Sequence, residues 1–345
     1  MATDRPARIA IAGCGFWARF QAAAWTELSG VEIAAVCDRD RARAAALADR
    51  LGIAAVYDDP AAMLARERPD ALDVITDPAT HGDLVGLAAE QGVPVVCQKP
   101  LAMTLAQARG MIAACTAAGV PLLVHENWRW QAPLRALRGV LDEGRIGRVF
   151  RARIDFISGF PVFRNQPSLR GMPQFILMDM GTHLLDAVRF LFGEFATLYC
   201  RTAKVHADIA GEDVATVMLG NDAGATVTCN MAYAENHVEH DRFPETYAFV
   251  EGDGGSIELG PDYWLRVTTA DGTHARRHPP ARYAWADPAY DVVQASMVPC
   301  CANLLAGIRG QAPAETTGEG NLRTLGLVFG AYESAASGLA VRVEA

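Results

Sequence analysis

The chain has 345 residues, 51% of them hydrophobic, and a formal net charge of −9. That length exceeds one typical core and suits two domains, and the acidic balance argues against a nucleic-acid partner, which would recruit a basic surface. The longest apolar runs fall short of the ~20 residues that span a bilayer. The first of them breaks at Gly13 and Gly15, as a strand and turn do, so a soluble, cytoplasmic protein without a membrane partner is expected.

Through the first third, short apolar runs alternate with helical patterns. Strands are expected at 7–12, 31–37, 54–57, 71–75, 94–97 and 121–124, with helices at 18–28, 41–51, 60–66, 82–91 and 105–118. Pro60 suits a first helical turn. Near-continuous apolar strands separated by helices imply a doubly wound parallel sheet covered on both faces.

After Asn127 the pattern changes. One more helix is expected at 133–143. Longer, alternating strands then follow at 149–157, 197–205, 214–219, 225–232, 246–251, 256–259 and 264–269, joined by turns such as Asn221-Asp222-Ala223-Gly224 and Gly252-Asp253-Gly254-Gly255. They predict an open, mostly antiparallel sheet with helices on one face. One helix at 180–192 is inserted early, and two more, about 292–309 and 318–337, close the chain. The fold class is therefore α/β followed by α+β, with domains at 1–125 and 126–345.

Eight cysteines occur without a C-x-x-C pair, several of them inside apolar runs, and read as reduced core thiols. His237 and His240 lie among Glu235, Glu239 and Asp241, but loop neighbours seldom build tetrahedral coordination unaided, so no metal is expected. His274 and His278 flank a basic strand and read as exposed.

Gly13-x-Gly15-x-x-Ala18 sits between a strand and a helix. The first glycine permits the tight turn, the second lets backbone N–H groups approach a pyrophosphate, and the small Ala18 lets helix and strand pack closely. Phe16 and Trp17 fill the turn and join the candidate cofactor residues. Asp38 ends the second strand, where an acid accepts hydrogen bonds from a ribose 2′-hydroxyl and repels a 2′-phosphate. NAD is thus expected over NADP, although Arg39 and Arg43 stand close enough to pair with a phosphate.

Lys99 lies just past a predicted parallel strand, at the sheet edge where ligands bind, and Pro100 stiffens its loop. Asp179 and His183, four apart, share a helix face beside the apolar stripe Leu184, Val188 and Leu191. A helix-capping aspartate with a hydrogen-bonded histidine would show the same spacing, and Asp186 is an equally placed partner for His183. A lysine, an aspartate and a histidine beside a nucleotide turn suggest proton transfer coupled to hydride transfer at a hydroxylated carbon.

These positions resemble the Gfo/Idh/MocA oxidoreductases, the family of glucose–fructose oxidoreductase and inositol dehydrogenase, over essentially the whole chain. The resemblance rests on Gly13-Cys14-Gly15 with Asp38, on Thr76-Asp77-Pro78-Ala79-Thr80-His81, on Cys97-Gln98-Lys99-Pro100-Leu101-Ala102, and on Asp179-Met180-Gly181-Thr182-His183. It implies a Rossmann domain, then an α+β domain whose open sheet buries its exposed face in a homodimer or homotetramer. It also implies NAD(P)-dependent oxidation or reduction of a sugar, polyol, cyclitol or sugar acid.

By position, Lys99, Asp179 and His183 match the catalytic lysine, aspartate and histidine. Thr76 and His81 match residues on the nicotinamide side, and Asn127 and Arg129 match substrate residues where the two domains meet. Arg164, Gln166 and Arg170 lie in a stretch that reaches over the substrate in this family, and two arginines there suit a carboxylate. Where the family has Glu-Lys-Pro, this chain has Gln98-Lys99-Pro100, so Lys99 is expected to lose its proton more easily than in relatives. Some members of the family that act on aldonates, including branched ones such as apionate, share the Gln-Lys-Pro form and a following stretch like His125 to Arg129.

Two alternatives stand beside a dehydrogenase. One is a non-catalytic NAD(H)-sensing or interaction protein on the same fold. The other is a hydrolase or isomerase that oxidises its substrate only transiently.

Overall fold

A computed structural model describes residues 5–159, 162–234 and 244–343. The histidine and acid cluster around His237 lies outside the described residues. Two compact units emerge from the packing. The first comprises Met1–Asn127, Tyr283–Ala286 and Met297–Leu322, and the second comprises Trp128–Arg282, Asp287–Ser296 and Arg323–Ala345. Residues 283–286 and 297–322 therefore pack with the first unit, where the sequence placed everything after 125 in the second. Packing returns the chain to the first unit near its end: Arg309 donates to the Gly30 carbonyl, and the Val124 N–H donates to Thr316.

The first unit is a six-stranded sheet in the order β3-β2-β1-β4-β5-β6, with every pairing parallel. Its strands are β1 (Ala7–Ala12), β2 (Val31–Cys37), β3 (Val56–Tyr57), β4 (Ala71–Val74), β5 (Val95–Gln98) and β6 (Leu122–His125). Its helices are α1 (Ala18–Thr26), α2 (Arg41–Leu51), α3 (Pro60–Glu67), α4 (His81–Glu90) and α5 (Leu105–Ala118). Local chemistry sets their ends. The side chains of Asp40, Asp59 and Thr104 accept N–H bonds at the starts of α2, α3 and α5. Gly52 and Gly119 close α2 and α5 in the left-handed region. β4, β5 and β6 are buried at every position, as strands covered on both faces must be.

The second unit begins with α6 (Ala132–Asp142), followed by β7 (Val149–Ser158), the short α7 (Val162–Asn165) and α8 (Thr182–Phe192). Strands β8 (Thr197–Ala203), β9 (Val214–Gly220), β10 (Thr226–Tyr233), β11 (Tyr247–Gly252), β12 (Gly255–Gly260), β13 (Trp264–Thr269) and β14 (Gly272–Arg277) come next. After these strands the chain forms α9 (Asp291–Ile308), which belongs to the first unit from Met297 on, α10 (Gly318–Ser337), which belongs to the second unit from Arg323 on, and β15 (Val341–Arg342). The nine strands form one sheet in the order β14-β13-β12-β11-β7-β10-β9-β8-β15. β7 and β10 pair in parallel and the other pairs are antiparallel.

Three elements depart from the sequence expectation. β14 is exposed at every residue and so shows no apolar alternation, and β15 has only two residues. The helix expected from 180 begins earlier, as a π-helical turn at Leu177–Gly181 that runs into α8. The Glu212 carboxylate accepts the N–H groups of Phe175 and Leu177 there and supports the wider turn. α9 is apolar along most of its length because it is core. Val292, Val293, Met297, Cys300, Cys301 and Leu304 are all buried, and all eight cysteines are buried and unbridged.

An ion pair holds α8. Arg129 donates from Nε and Nη2 to the two oxygens of Asp186, each at 2.7 Å, and Thr324 adds a bond to the same carboxylate. Both partners are buried. Removing one charge of such a pair strands the other, which typically costs about 3–5 kcal/mol. Asp186→Ala is expected to lose stability on that scale in urea unfolding, and a loss below about 1 kcal/mol would show that the pair does not anchor the helix.

Candidate active site

In the first unit, β1 runs into Gly13 at φ +98°, and a Cβ there would lie 2.3 Å from the Ile75 carbonyl oxygen. Only glycine allows this approach. It joins the loops after β1 and β4, the neighbouring strands at which the order of a doubly wound sheet reverses and a crevice forms. Nothing lies within 4 Å of a Cβ built on Gly15, so that backbone is open to a ligand. No side chain caps the start of α1, which leaves its first N–H groups available to an anion.

Asp38 accepts the Cys14 N–H at 2.8 Å through one oxygen and the Asp40 N–H at 2.9 Å through the other. The acid at the end of β2 thus also holds the glycine turn. Arg43 pairs with Asp40 at 3.3 Å, while Arg39 is exposed. Phe16 is exposed and packs edge-on against Trp17, whose own ring is sunk against the core with Ile33 and Leu51. An open glycine turn, an uncapped helix start and a carboxylate at the second strand together fit a dinucleotide, and the carboxylate suits an unphosphorylated ribose.

The loop after β4 carries Thr76, whose hydroxyl accepts from Thr80 at 2.7 Å. His81 departs from its expected place on the nicotinamide side. It is fully buried, and its ring nitrogens lie 3.1 Å from the Leu101 carbonyl and 3.2 Å from the Thr76 carbonyl. Burial lowers its pKa, against the pull of those carbonyls. Its ring ties the Thr76 loop to the loop after Lys99, so it reaches the site only through the backbone.

Lys99 is half-buried at the end of β5 and is joined to Pro100 by a cis peptide bond. Beneath it lies a buried polar chain. The Lys99 N–H donates to Gln98 Oε1 at 2.9 Å, and Gln98 Nε2 donates to Gln21 Oε1 at 2.6 Å. Gln21 Nε2 then donates to both oxygens of Asp73, at 2.8 and 2.9 Å, and the Trp25 indole donates to the same carboxylate at 2.7 Å. Asp73 is fully buried, and burial pushes its pKa up to about 7, opposed by the bonds from Trp25 and Gln21.

In the second unit, Asp179 sits within the π-helical turn and His183 in the first turn of α8. π-helical turns occur often at functional sites. The His183 ring is 5% exposed and stacks on the Trp128 indole at 4.8 Å and 26°. Trp128 is held in turn by Phe156, edge-on at 5.8 Å, and by a 3.0 Å bond from its indole N–H to Thr246. The Tyr233 hydroxyl hydrogen-bonds Asp179; burial and then that carboxylate push the phenol well above its usual pKa, so it stays a donor. Asp186, considered above as a partner for His183, has both oxygens on Arg129.

The remaining candidates divide. Asn127 is buried at the end of the first unit, and Arg129 is occupied by Asp186. Arg164 is exposed and Gln166 half-exposed. Arg170 forms an ion pair with Asp208 and lies 4.8 Å over the Phe163 ring, which leaves it less available to a substrate carboxylate than the sequence suggested. The sequence reading missed Asp73, Gln21, Trp128 and Tyr233. Of these only Asp73 left a signal, an acid inside the apolar run Ala71-Leu72-Asp73-Val74-Ile75.

Known proteins match this architecture closely. Residues 7–126 match the description "oxidoreductase family, NAD-binding Rossmann fold", and residues 134–258 match the GFO/IDH/MocA C-terminal domain. A D-apiose dehydrogenase of Paraburkholderia graminis is 42% identical over 335 residues, covering 97% of this chain and 89% of that protein. A D-apiose dehydrogenase of Rhizobium rhizogenes is 40% identical, with 97% of each covered. The crystal structure of an Agrobacterium radiobacter oxidoreductase in complex with NAD+, L-tartaric acid and magnesium superimposes with a TM-score of 0.95 at 40% identity, covering 97% of this chain and 98% of that one.

Two outcomes are expected. Gly13→Ala forces the turn away from Ile75 and should abolish NADH binding in a fluorescence titration; binding at wild-type affinity would show that the turn does not hold the cofactor. The second concerns Asp73, whose folded pKa of about 7 lies above the ordinary 3.8. The folded state therefore binds the proton more tightly, and stability should fall as pH rises from about 4 to about 7 and level off above. Asp73→Asn should flatten that slope in urea unfolding at pH 5 and pH 8, and an unchanged slope would contradict the assignment.

Proposed function

The chain belongs to the GFO/IDH/MocA oxidoreductase family, and from that membership we propose that it is an NAD-dependent dehydrogenase acting on a hydroxyl carbon of D-apiose or a closely related sugar. The observation that carries the substrate is the match, over 97% of this chain, to two D-apiose dehydrogenases. The cofactor is supported by the open Gly13–Gly15 turn, the uncapped start of α1 and the Asp38 carboxylate. The named relatives act on the sugar itself, which favours an aldose over the aldonates considered from the sequence, and the pairing of Arg170 with Asp208 agrees with a neutral substrate.

NAD+ supplies the hydride acceptor when bound, held by Gly13, Gly15 and Asp38, with Phe16, Thr76 and Gln98 nearby in the same unit. His183 accepts the proton of the hydroxyl being oxidised. Asp179 stabilises the imidazolium, and Trp128 fixes the plane of the ring. Tyr233 keeps Asp179 in place. Lys99 donates a hydrogen bond to the substrate oxygen as charge develops on it.

The exposed face of the second sheet supports self-association in a homo-oligomer. Ile157, Met218 and Phe249 stand 45%, 45% and 39% exposed, and strand register puts them on one face. A second copy is the partner proposed for it.

Absorbance at the NADH band tests the reading directly, with purified protein, NAD+ or NADP+, and a panel of D-apiose, other aldoses, polyols, cyclitols and aldonates. NADH should form with D-apiose and NAD+, and Lys99→Met or His183→Ala should cut turnover by about 10²–10⁴ while NADH still binds. Wild-type turnover in either variant would remove that residue from the mechanism. Silence across the panel despite NADH binding would overturn the dehydrogenase reading.

A further inference from the structure

The buried chain beneath Lys99 has a direction, and the direction is set from its deep end. Ionised Asp73 only accepts hydrogen bonds, so Gln21 must turn its NH2 toward both carboxylate oxygens. The Gln21 carbonyl is thereby aimed outward at residue 98, 2.6 Å away. Residue 98 must therefore donate. Its other neighbour on that side, His125 Nδ1, lies 3.4 Å from Gln98 Nε2 and takes the second N–H, while His125 Nε2 faces Cys301 Sγ at 3.6 Å. Only then is Gln98 Oε1 left to accept the Lys99 N–H. Gln21, Asp73 and His125 are fully buried and Gln98 is nearly so, so no solvent relieves a mismatch along the chain.

We propose that Asp73, Gln21 and Gln98 form a one-way relay of hydrogen bonds that positions the backbone of Lys99, and that the carboxylate at 73 is what requires an amide at 98. Gln21 and Asp73 are positioning residues: they touch neither substrate nor cofactor and act through Gln98. A glutamate at 98 would set acceptor against acceptor, its carboxylate facing the Gln21 carbonyl, whereas His125 can turn to it by carrying its proton on Nδ1. With an asparagine at 73 as well, the whole chain reverses without loss. Trp25 donates to the carbonyl of the new amide, whose NH2 donates to the Gln21 carbonyl. Gln21 in turn donates to one oxygen of the glutamate at 98, and the other oxygen of that glutamate still accepts the Lys99 N–H. His125 then carries its proton on Nδ1. The absence of the family's glutamate beside this lysine is on this view a consequence of a charge placed one layer deeper.

The effect on rate rests on the catalytic reading of Lys99, whereas the direction of the chain does not. The test is a double-mutant cycle of Gln98→Glu and Asp73→Asn on the full chain at a pH well above 7, where Asp73 is ionised, reading the thermal midpoint, kcat and KM with the sugar and NAD+. Gln98→Glu alone should lower the midpoint by several degrees and kcat by about tenfold or more, with KM for NAD+ little changed. In the Asp73→Asn background the same substitution should be neutral or favourable in both.

Equal losses in both backgrounds, or no loss in the wild-type background, would overturn the relay. Coupling in the midpoint without coupling in kcat would overturn the positioning of Lys99 while leaving the chain's direction. If Gln98→Glu fails to fold, a folded double variant supports the proposal and an unfolded one refutes it. Wild-type turnover of Lys99→Met, measured beside these, would instead mark failure of the catalytic reading.

Discussion

A carboxylate in the middle of a sheet covered on both faces must find hydrogen-bond donors inside the protein, and Asp73 finds them in Trp25 and Gln21. Much in the first unit follows from that requirement. The donors come from α1, the helix whose uncapped start faces the open glycine turn, so the helix is tied to β4 by polar bonds as well as by packing. Because Gln21 is an amide, the demand passes outward through Gln98 to the backbone of Lys99. A charge with no role of its own in the chemistry thus orders the side chains between the core and the sheet edge.

The second unit solves a related problem with an ion pair. α8 is buried along most of its length, so the charges on it need partners supplied by other elements. Arg129 meets Asp186, and Arg189 meets Glu194 and Thr324. With the helix held at these points, the π-helical turn ahead of it is supported by Glu212, which also receives the Tyr332 hydroxyl. Asp179 and His183 are therefore displayed on a segment whose backbone is fixed from behind. Trp128, itself wedged by Phe156 and Thr246, fixes the ring plane in front.

Such supports are hard to see in a sequence. The candidate positions Gly13, Gly15, Asp38, Lys99, Asp179 and His183 could be picked out of the sequence because each sits at a fixed offset from a strand end or along a helix. His81 was misplaced because a histidine in a loop after a strand looks the same whether its ring faces a ligand or two carbonyls. Asp186 had a local alternative in His183, Arg129 was matched to a substrate residue, and 57 residues of chain separate the two that actually meet. Gln98 was read as an isolated loss of charge because the compensating carboxylate lies on a different strand.

Hydrophobic period, turn residues and helix caps are local, and they determined the order of strands and helices, the change from parallel to antiparallel architecture and the glycine turn that opens the chain. Pairing across the sheets, burial and hydrogen-bond direction depend on residues far apart in sequence. Only the tertiary structure decided that residues 297–322 return to the first unit, that a π-helical turn carries Asp179, and that Asp73 speaks to Lys99 through two amides. The physical reason is that a polar group's partner is chosen by which groups are buried beside it, and burial is a property of the folded chain.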